Sequence, residues 1–376
     1  MSGTPLLLTP GPLSTALETR RAMARDWGSR DPEFIDCVSR VCEGLAGLVG
    51  ASDYVAVPMQ GSGTFAVEAM LGTFVPRQGK LLVLVNGAYG HRMVALARRM
   101  GRAVETIEWE ESQPVDAMDV DAALLSDLSI THVAVVYCET TTGILNPIQA
   151  VADVVEARGR RLLIDAMSAL GALPLDAARV SFDAVAGSAN KCLEGVPGLA
   201  FVVAQRAALR RCEGQCHSVS LDLYEQVERL DRDGQFRFTP PTHVLAALDQ
   251  ALLLHAAEGG VSGRGRRYAE NCGVLIAGLT ELGLQPLLPA ERQAPIIVTV
   301  LSPGDPAWNF DAVYEALTVR GFSIYPGKLT ERATFRVGCI GQVFPDDMRR
   351  FIAALGEVLE TQGIHQRAPS NQQETA

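Results

Sequence analysis

Short apolar runs alternate with amphipathic or alanine-rich segments from about residue 55 to residue 205. The runs "KLLVLVN" (80–86), "AVETIEW" (103–109), "THVAVVYCE" (131–139), "RLLIDAM" (161–167), "FDAVAGSA" (182–189) and "LAFVVAQ" (199–205) predict strands. Segments 63–74, 90–100 and 147–158 predict helices between them. Near-continuously apolar strands separated by helices form a mainly parallel sheet covered on both faces. The loop between the last two runs is too short for a helical crossover, which leaves 199–205 open to antiparallel pairing.

An Ala/Leu-rich helix is expected over 242–257, and "EGGVSGRG" (258–265) reads as a boundary. A helix over about 266–283, the run "APIIVTVLS", a helix over 310–320, the runs "GFSIYP" and "TFRVGCIG" and a last helix over 345–360 follow. Strands and helices mixed without strict alternation predict a small α+β domain. The division is a large domain at 15–258, a small domain built from 1–14 and 259–362, and a disordered tail at 363–376, whose end "QRAPSNQQETA" is polar.

Composition narrows the partners. The 376 residues are 48% hydrophobic and 20% charged, with 33 Lys+Arg against 43 Asp+Glu and a formal charge of −10. That balance argues against nucleic acid or an anionic membrane as principal partner, but a basic pocket for an anionic small molecule is compatible with it. No charge-free apolar stretch of about 18 residues occurs. The start "MSGTPLLLTPGPLST" lacks a basic leader and is broken by prolines, so no signal peptide is expected. Eight cysteines without a CxxC pair read as reduced thiols of a cytoplasmic protein. Cys212, Cys216 and His217 cluster in "CEGQCH" without a second ligand pair, and no metal is expected there.

Ligands of open α/β sheets bind at the carboxyl ends of the strands. There Asp165 ends "RLLID", Lys191 follows "AVAGSAN", and Thr140, Thr141 and Thr142 follow "VAVVYCE". A Gly-Ser-Gly-Thr turn at 61–64 opens a predicted helix, as an anion site at a helix N-terminus requires. Each feature alone has a bland reading, a tight turn or a helix cap. Together they fit an aldehyde cofactor: a lysine to form a Schiff base, a carboxylate for a pyridinium nitrogen and a cradle for phosphate. Tyr89 in "NGAYG" is placed either to stack on such a ring or simply to pack.

The chain resembles the class V aminotransferases of fold type I, which use pyridoxal 5′-phosphate (PLP), and more narrowly the 2-aminoethylphosphonate–pyruvate aminotransferases. The likeness lies in "LLLTPGPL" (6–13), "QGSGTFAVEA" (60–69), "NGAYG" (86–90), "CETTTGILNP" (138–147), "LIDAMSALGALPLD" (163–176) and "NKCLEGVPG" (190–198). It continues in "SLDLYEQ" (220–226), "FRFTPPTH" (236–243), "APIIVT" (294–299), "YPGKLT" (325–330) and "FRVGCIG" (335–341). The resemblance implies a seven-stranded, mainly parallel sheet in the large domain. It implies that Lys191 carries the cofactor as an imine and shuttles the proton, with Asp165 on the pyridinium nitrogen. Ser62, Gly63 and Thr64 would cradle the phosphate, joined by Ser188 or Asn190. Thr239 would reach it from the neighbouring subunit of a homodimer. Tyr89 would stack on one face of the ring and Met167 cover the other, with Thr140 on the 3′-oxygen side. Arg336 would pair bidentately with the acceptor carboxylate.

The implied reaction moves the amino group of 2-aminoethylphosphonate to pyruvate, giving phosphonoacetaldehyde and L-alanine. Arg30, in "WGSRDPEF", departs from the aromatic residue often found there in the phosphonate enzymes. It reads as a second substrate-anion contact, as an ion pair with Asp31 or Glu33, or as an exposed side chain. The rival that keeps the cofactor is an alanine– or serine–glyoxylate aminotransferase. A cysteine desulfurase would need Cys192 or Cys339 as a nucleophile on a mobile loop.

Overall fold

The computed structural model describes residues 4–327 and 332–370. Lys328, Leu329 and Thr330 of "YPGKLT" and residues 371–376 of the tail lie outside the described residues. After a short strand β1 (Leu6–Leu7) and a helix α1 (Pro32–Ala46), the chain runs β2 (Tyr54–Gln60), α2 (Gly63–Phe74), β3 (Lys80–Val85), α3 (Ala88–Arg99), β4 (Ala103–Glu108), α4 (Ala117–Ser126) and β5 (Ile130–Val136). It continues with α5 (Ile148–Ala157), β6 (Arg161–Asp165), β7 (Ala184–Ser188), β8 (Leu199–Gln205), α6 (Leu223–Asp233) and α7 (Thr242–Ala257).

Seven strands form one sheet in the order β2-β8-β7-β6-β5-β3-β4. The pairs among β3 to β7 are parallel. β8 is antiparallel to both its neighbours, the pairing that the short 189–198 loop left open. β2 is the strand that the apolar runs did not single out, and it carries Pro58. A proline cannot donate to a ladder, and β2 lies at the sheet's edge, where that loss is tolerated.

Alternate residues of the strands feed two separate cores. Leu82, Leu84, Val133, Val135, Leu162 and Ile164 pack on one face. Leu81, Val83, Val85, Ala134, Val136 and Leu163 pack on the other. This period of two, with both faces covered, is why the runs are continuously apolar.

A third core joins helix α8 (Gly260–Glu281) to β9 (Ile297–Leu301), α9 (Phe310–Val319), β10 (Phe322–Ser323), β11 (Tyr325–Pro326), β12 (Thr334–Gly338) and α10 (Pro345–Thr361). The N-terminal β1 pairs parallel with β10, so the chain's first residues belong to this layer. The "EGGVSGRG" stretch, read as a boundary, holds the start of α8 at Gly260, and two of its glycines serve close packing. A Cβ at Gly263 would collide with the Glu258 carbonyl oxygen, and one at Gly265 with that of Ala172. The tail, expected to be disordered from residue 363, is not free along its length. Ile364 is buried, the backbone N–H groups of His365 and Gln366 both donate to Asp305, and the Ala368 carbonyl accepts from Gly304. Among the described residues no single helix is long and apolar enough to cross a membrane.

Candidate active site

Parallel strands end at one edge, and the residues just beyond them line a common cavity of about 260 Å³. Ser62, Gly63 and Thr64 come from the β2–α2 turn, and Tyr89 from the first turn of α3. Thr140 follows β5, Asp165 ends β6 with Met167 just after it, and Ser188, Asn190 and Lys191 follow β7. The structure thus brings together ten of the residues singled out in the sequence.

The chemistry of the cavity follows from burial. Asp165 is 4% exposed, and burial pushes its carboxyl up to about 6, partly countered by the Met167 N–H that donates to its Oδ1 at 3.0 Å. Burial also lowers the Lys191 amine from its ordinary value. Acid and base face the same cavity without forming an ion pair within 4 Å, and burial shifts each toward its neutral form. At the other side, Ser62 begins α2 without a side-chain cap, and the helix's first N–H groups have no intrahelical acceptors. The Ser188 hydroxyl donates to Asn190 Oδ1 at 2.6 Å beside them.

The Lys191 amine is held at the cavity wall by the Pro10 carbonyl, to which Nζ donates at 2.5 Å. Gly11 passes directly over the side chain, with φ at +117° and room for no Cβ, which would lie 2.7 Å from Lys191 Cδ. The N-terminal arm is therefore the roof over the lysine.

Arg336 does not line the cavity. It sits on β12, buried, with Nη1 donating to the Thr140 carbonyl at 3.2 Å and Nε to the Pro326 carbonyl at 3.0 Å. Thr140 lines the cavity, so its carbonyl joins the arginine to the site. Thr239 and Arg30 lie away from Lys191. Both are exposed and line a second cavity of about 370 Å³ together with Arg229 and Arg237.

Neither Cys192 nor Cys339 is an activated thiol. Cys192 is buried, donates to the Ser168 carbonyl at 3.3 Å and has its thiol pushed up to about 12 by burial. Cys339 is buried, and its hydrogen bond with Cys272 together with burial pushes its thiol up.

Two residues of the site had no role assigned from sequence. Arg92, three positions after Tyr89 and so on the same helix face, donates from Nη1 to Thr64 Oγ1 at 3.1 Å, its guanidinium 4.7 Å from the Tyr89 ring centre. Glu139 is fully buried. Its carboxylate accepts from the Tyr89 N–H at 3.0 Å, the Thr141 N–H at 3.1 Å and the Thr141 hydroxyl at 2.5 Å. The "NGAYG" and "CETTTG" stretches are thus one structural unit. A charged residue inside an apolar strand end was the available signal for Glu139.

This lysine, carboxylate and helix terminus on a seven-stranded sheet define a class. Residues 17–312 match the family model of the class V aminotransferases, and the chain belongs to that family. Pyridoxal phosphate is the cofactor of such enzymes. The residues present fit it: an uncapped helix N-terminus for phosphate, a buried carboxylate for a ring nitrogen and an amine for the aldehyde.

The particular relatives are closer still. The chain is 52% identical to a 2-aminoethylphosphonate–pyruvate transaminase of Pseudomonas putida (strain W619), covering 96% of this chain and 98% of the relative. It is also 52% identical to the protein of that name from Pseudomonas aeruginosa PAO1, over 94% and 96%. Among solved structures, pyridoxamine–pyruvate aminotransferase from Mesorhizobium loti superposes with a TM-score of 0.89 at 25% identity, over 96% of this chain and 94% of that one. Alanine–glyoxylate aminotransferase from Nostoc sp. gives 0.88 at 26% identity, over 96% of each chain. The architecture is that of the fold type I aminotransferases.

Proposed function

We propose that the chain transfers the amino group of 2-aminoethylphosphonate to pyruvate, forming phosphonoacetaldehyde and L-alanine. The observation that carries this reading is the 52% identity, from end to end, to transaminases of that name. Pyridoxal phosphate, when bound, supplies the aldehyde that accepts an amino group and the ring that stabilises a deprotonated carbon. The protein's part is placement and proton transfer. Lys191, with its amine made less basic by burial, takes and returns the proton at the substrate carbon. Asp165 would keep a ring nitrogen protonated, and Tyr89 and Met167 would hold the ring. Ser62, Gly63, Thr64, Ser188 and Asn190 would hold the phosphate, with Thr140 toward the 3′-oxygen.

Arg336 receives the pyruvate carboxylate in this reading, its planar fork suiting two parallel hydrogen bonds. Arg336→Lys is therefore expected to raise KM for pyruvate about 10- to 100-fold while cofactor content stays unchanged. Steady-state kinetics with pyruvate varied checks this, and an unchanged KM rejects the role.

The same reading makes the enzyme a homodimer. Thr239 stands apart from its own chain's Lys191, so its contact with a phosphate is with that of a second copy, and Arg30 in the same cavity is placed to face that copy's substrate. Eight free cysteines fit the cytoplasm.

The test of the substrate is a half-reaction panel. The cofactor-loaded protein is mixed separately with 2-aminoethylphosphonate, alanine, serine and β-alanine, and loss of its visible absorption is followed. Alanine, the product, is expected to react in reverse, and 2-aminoethylphosphonate in the forward direction, whereas β-alanine and serine are expected to be inert. Reaction with serine or alanine but not with the aminophosphonate would instead assign a glyoxylate-type aminotransferase.

A further inference from the structure

Glu194 stands three residues after Lys191, in the turn that returns the chain to β8. Among the described residues it is the one non-glycine with positive φ, at 58°. An L residue keeps that backbone only where its surroundings over-determine it. The Glu194 N–H donates to the Lys191 carbonyl at 2.9 Å, closing the turn on the lysine itself.

Its carboxylate, 3% exposed at the residue level, is the centre of a buried cluster. Oε1 accepts from the Tyr268 hydroxyl at 2.6 Å and from Arg267 Nη2 at 2.7 Å, and Oε2 accepts from Gln342 Nε2 at 2.5 Å. Arg264 Nη1 lies 3.4 Å from Oε1 and donates to the Cys192 carbonyl at 2.5 Å. Glu258 balances the second positive charge, pairing with Arg264 Nε at 2.6 Å and Arg267 Nε at 2.7 Å. Arg267 Nη1 reaches on to the Gly341 and Val343 carbonyls at 2.6 and 3.0 Å.

Three parts of the chain meet in this cluster. One is the loop after Lys191, another the first turns of α8, and the third the segment leading out of β12, the strand that carries Arg336. The carboxylate is thus the joint between the lysine's loop and the segment that follows the arginine's strand. We propose that Glu194 is a positioning residue for Lys191, fixing the amine and the acceptor-binding arginine in one register. The proposal rests on the reading of Lys191 as the catalytic base. Small displacements of a catalytic group cost orders of magnitude in rate, so a joint at this point governs turnover rather than only stability.

The test uses the cofactor-loaded protein. Glu194→Gln keeps the shape and removes the charge. It is expected to lower kcat about tenfold or more at unchanged cofactor content. It should also move the pH midpoint of the cofactor's visible band by about 0.5 pH or more, because the amine's surroundings change. Tyr268→Phe and Gln342→Leu each delete one bond to the same carboxylate and are expected to lower kcat about two- to fivefold. They keep the test open should Glu194→Gln fail to fold. Lower melting temperatures with kcat and the band's midpoint unchanged would overturn the proposal, leaving the cluster as a staple between domains. Lys191→Ala, run alongside, separates the two readings. If it turns over normally, the catalytic reading has failed. If it is inactive while the cluster variants are unimpaired, only the positioning role has failed.

Discussion

Replacing Lys191 with alanine lowers turnover by about ten-thousandfold or more, while the protein still folds and still takes up cofactor. The expectation follows from what else touches the cavity. In the proposed reading phosphate binding falls to the α2 terminus and its neighbours, and ring binding to Asp165, Tyr89 and Met167, which line the cavity beside the lysine. Among the described residues Arg92 is the other basic side chain lining the cavity, and a guanidinium does not give up its proton in this range. The Pro10 carbonyl that accepts from Lys191 Nζ cannot act as a base either. Turnover with both substrates, cofactor retained after gel filtration and partial rescue by added small amines are the measurements. Wild-type turnover in the variant would remove Lys191 from the chemistry.

What was legible in the sequence depended on how local its cause is. Strands β3 and β5 to β8 announce themselves because burial on both faces makes each a largely continuous apolar run, whereas β4, at the sheet's edge and largely exposed, alternates. Asp165 and Lys191 stand out because a charged residue at the end of such a run is expensive to bury without a reason. The roles given to Met167, Thr140 and Arg336 came instead from resemblance, and no period or spacing would have produced them; for Tyr89, position alone left stacking and packing both open. Other features were out of reach because their partners are far apart in the chain. Pro10 and Gly11 roof a lysine 181 and 180 positions later. Glu194 sits in the turn that leads back into the sheet, and its partners Arg264, Arg267, Tyr268 and Gln342 lie far along the chain. The glycines of 258–265 read as a boundary and not as packing positions, because flexibility and close packing both call for the same residue. Only the carbonyls of Glu258 and Ala172 decide between the two.

Replacing Asp165 with asparagine should separate stability from function. In the cofactor-free protein, burial raises the Asp165 carboxyl from its ordinary 3.8 to about 6. The native state therefore holds a proton that the unfolded chain has lost between about pH 4 and pH 6. By linkage, stability falls as pH rises through that window. The loss amounts to about 2–3 kcal/mol by neutral pH, because each tenfold weakening of the acid is worth about 1.4 kcal/mol. Asparagine keeps an oxygen for the Met167 N–H and never ionises. Cofactor-free Asp165→Asn should then equal the wild type in urea unfolding near pH 4 and exceed it by about 2–3 kcal/mol at pH 7.5. Comparing the two proteins at each pH cancels the titrating groups that do not interact with Asp165, leaving Lys191 and Glu139 as the coupled ones. With cofactor bound the order reverses, because a protonated ring nitrogen favours the ionised carboxylate and gains nothing comparable from an amide. Turnover of the loaded variant should fall about a thousandfold, the scale of removing one preorganised charge from a buried site. A cofactor-free variant no more stable than the wild type at pH 7.5 would mean that Asp165 is not held out of its ionised state. Undiminished turnover would mean that the carboxylate does not serve the ring. Both outcomes expected together describe a residue buried at a cost to the empty fold, which the bound cofactor offsets.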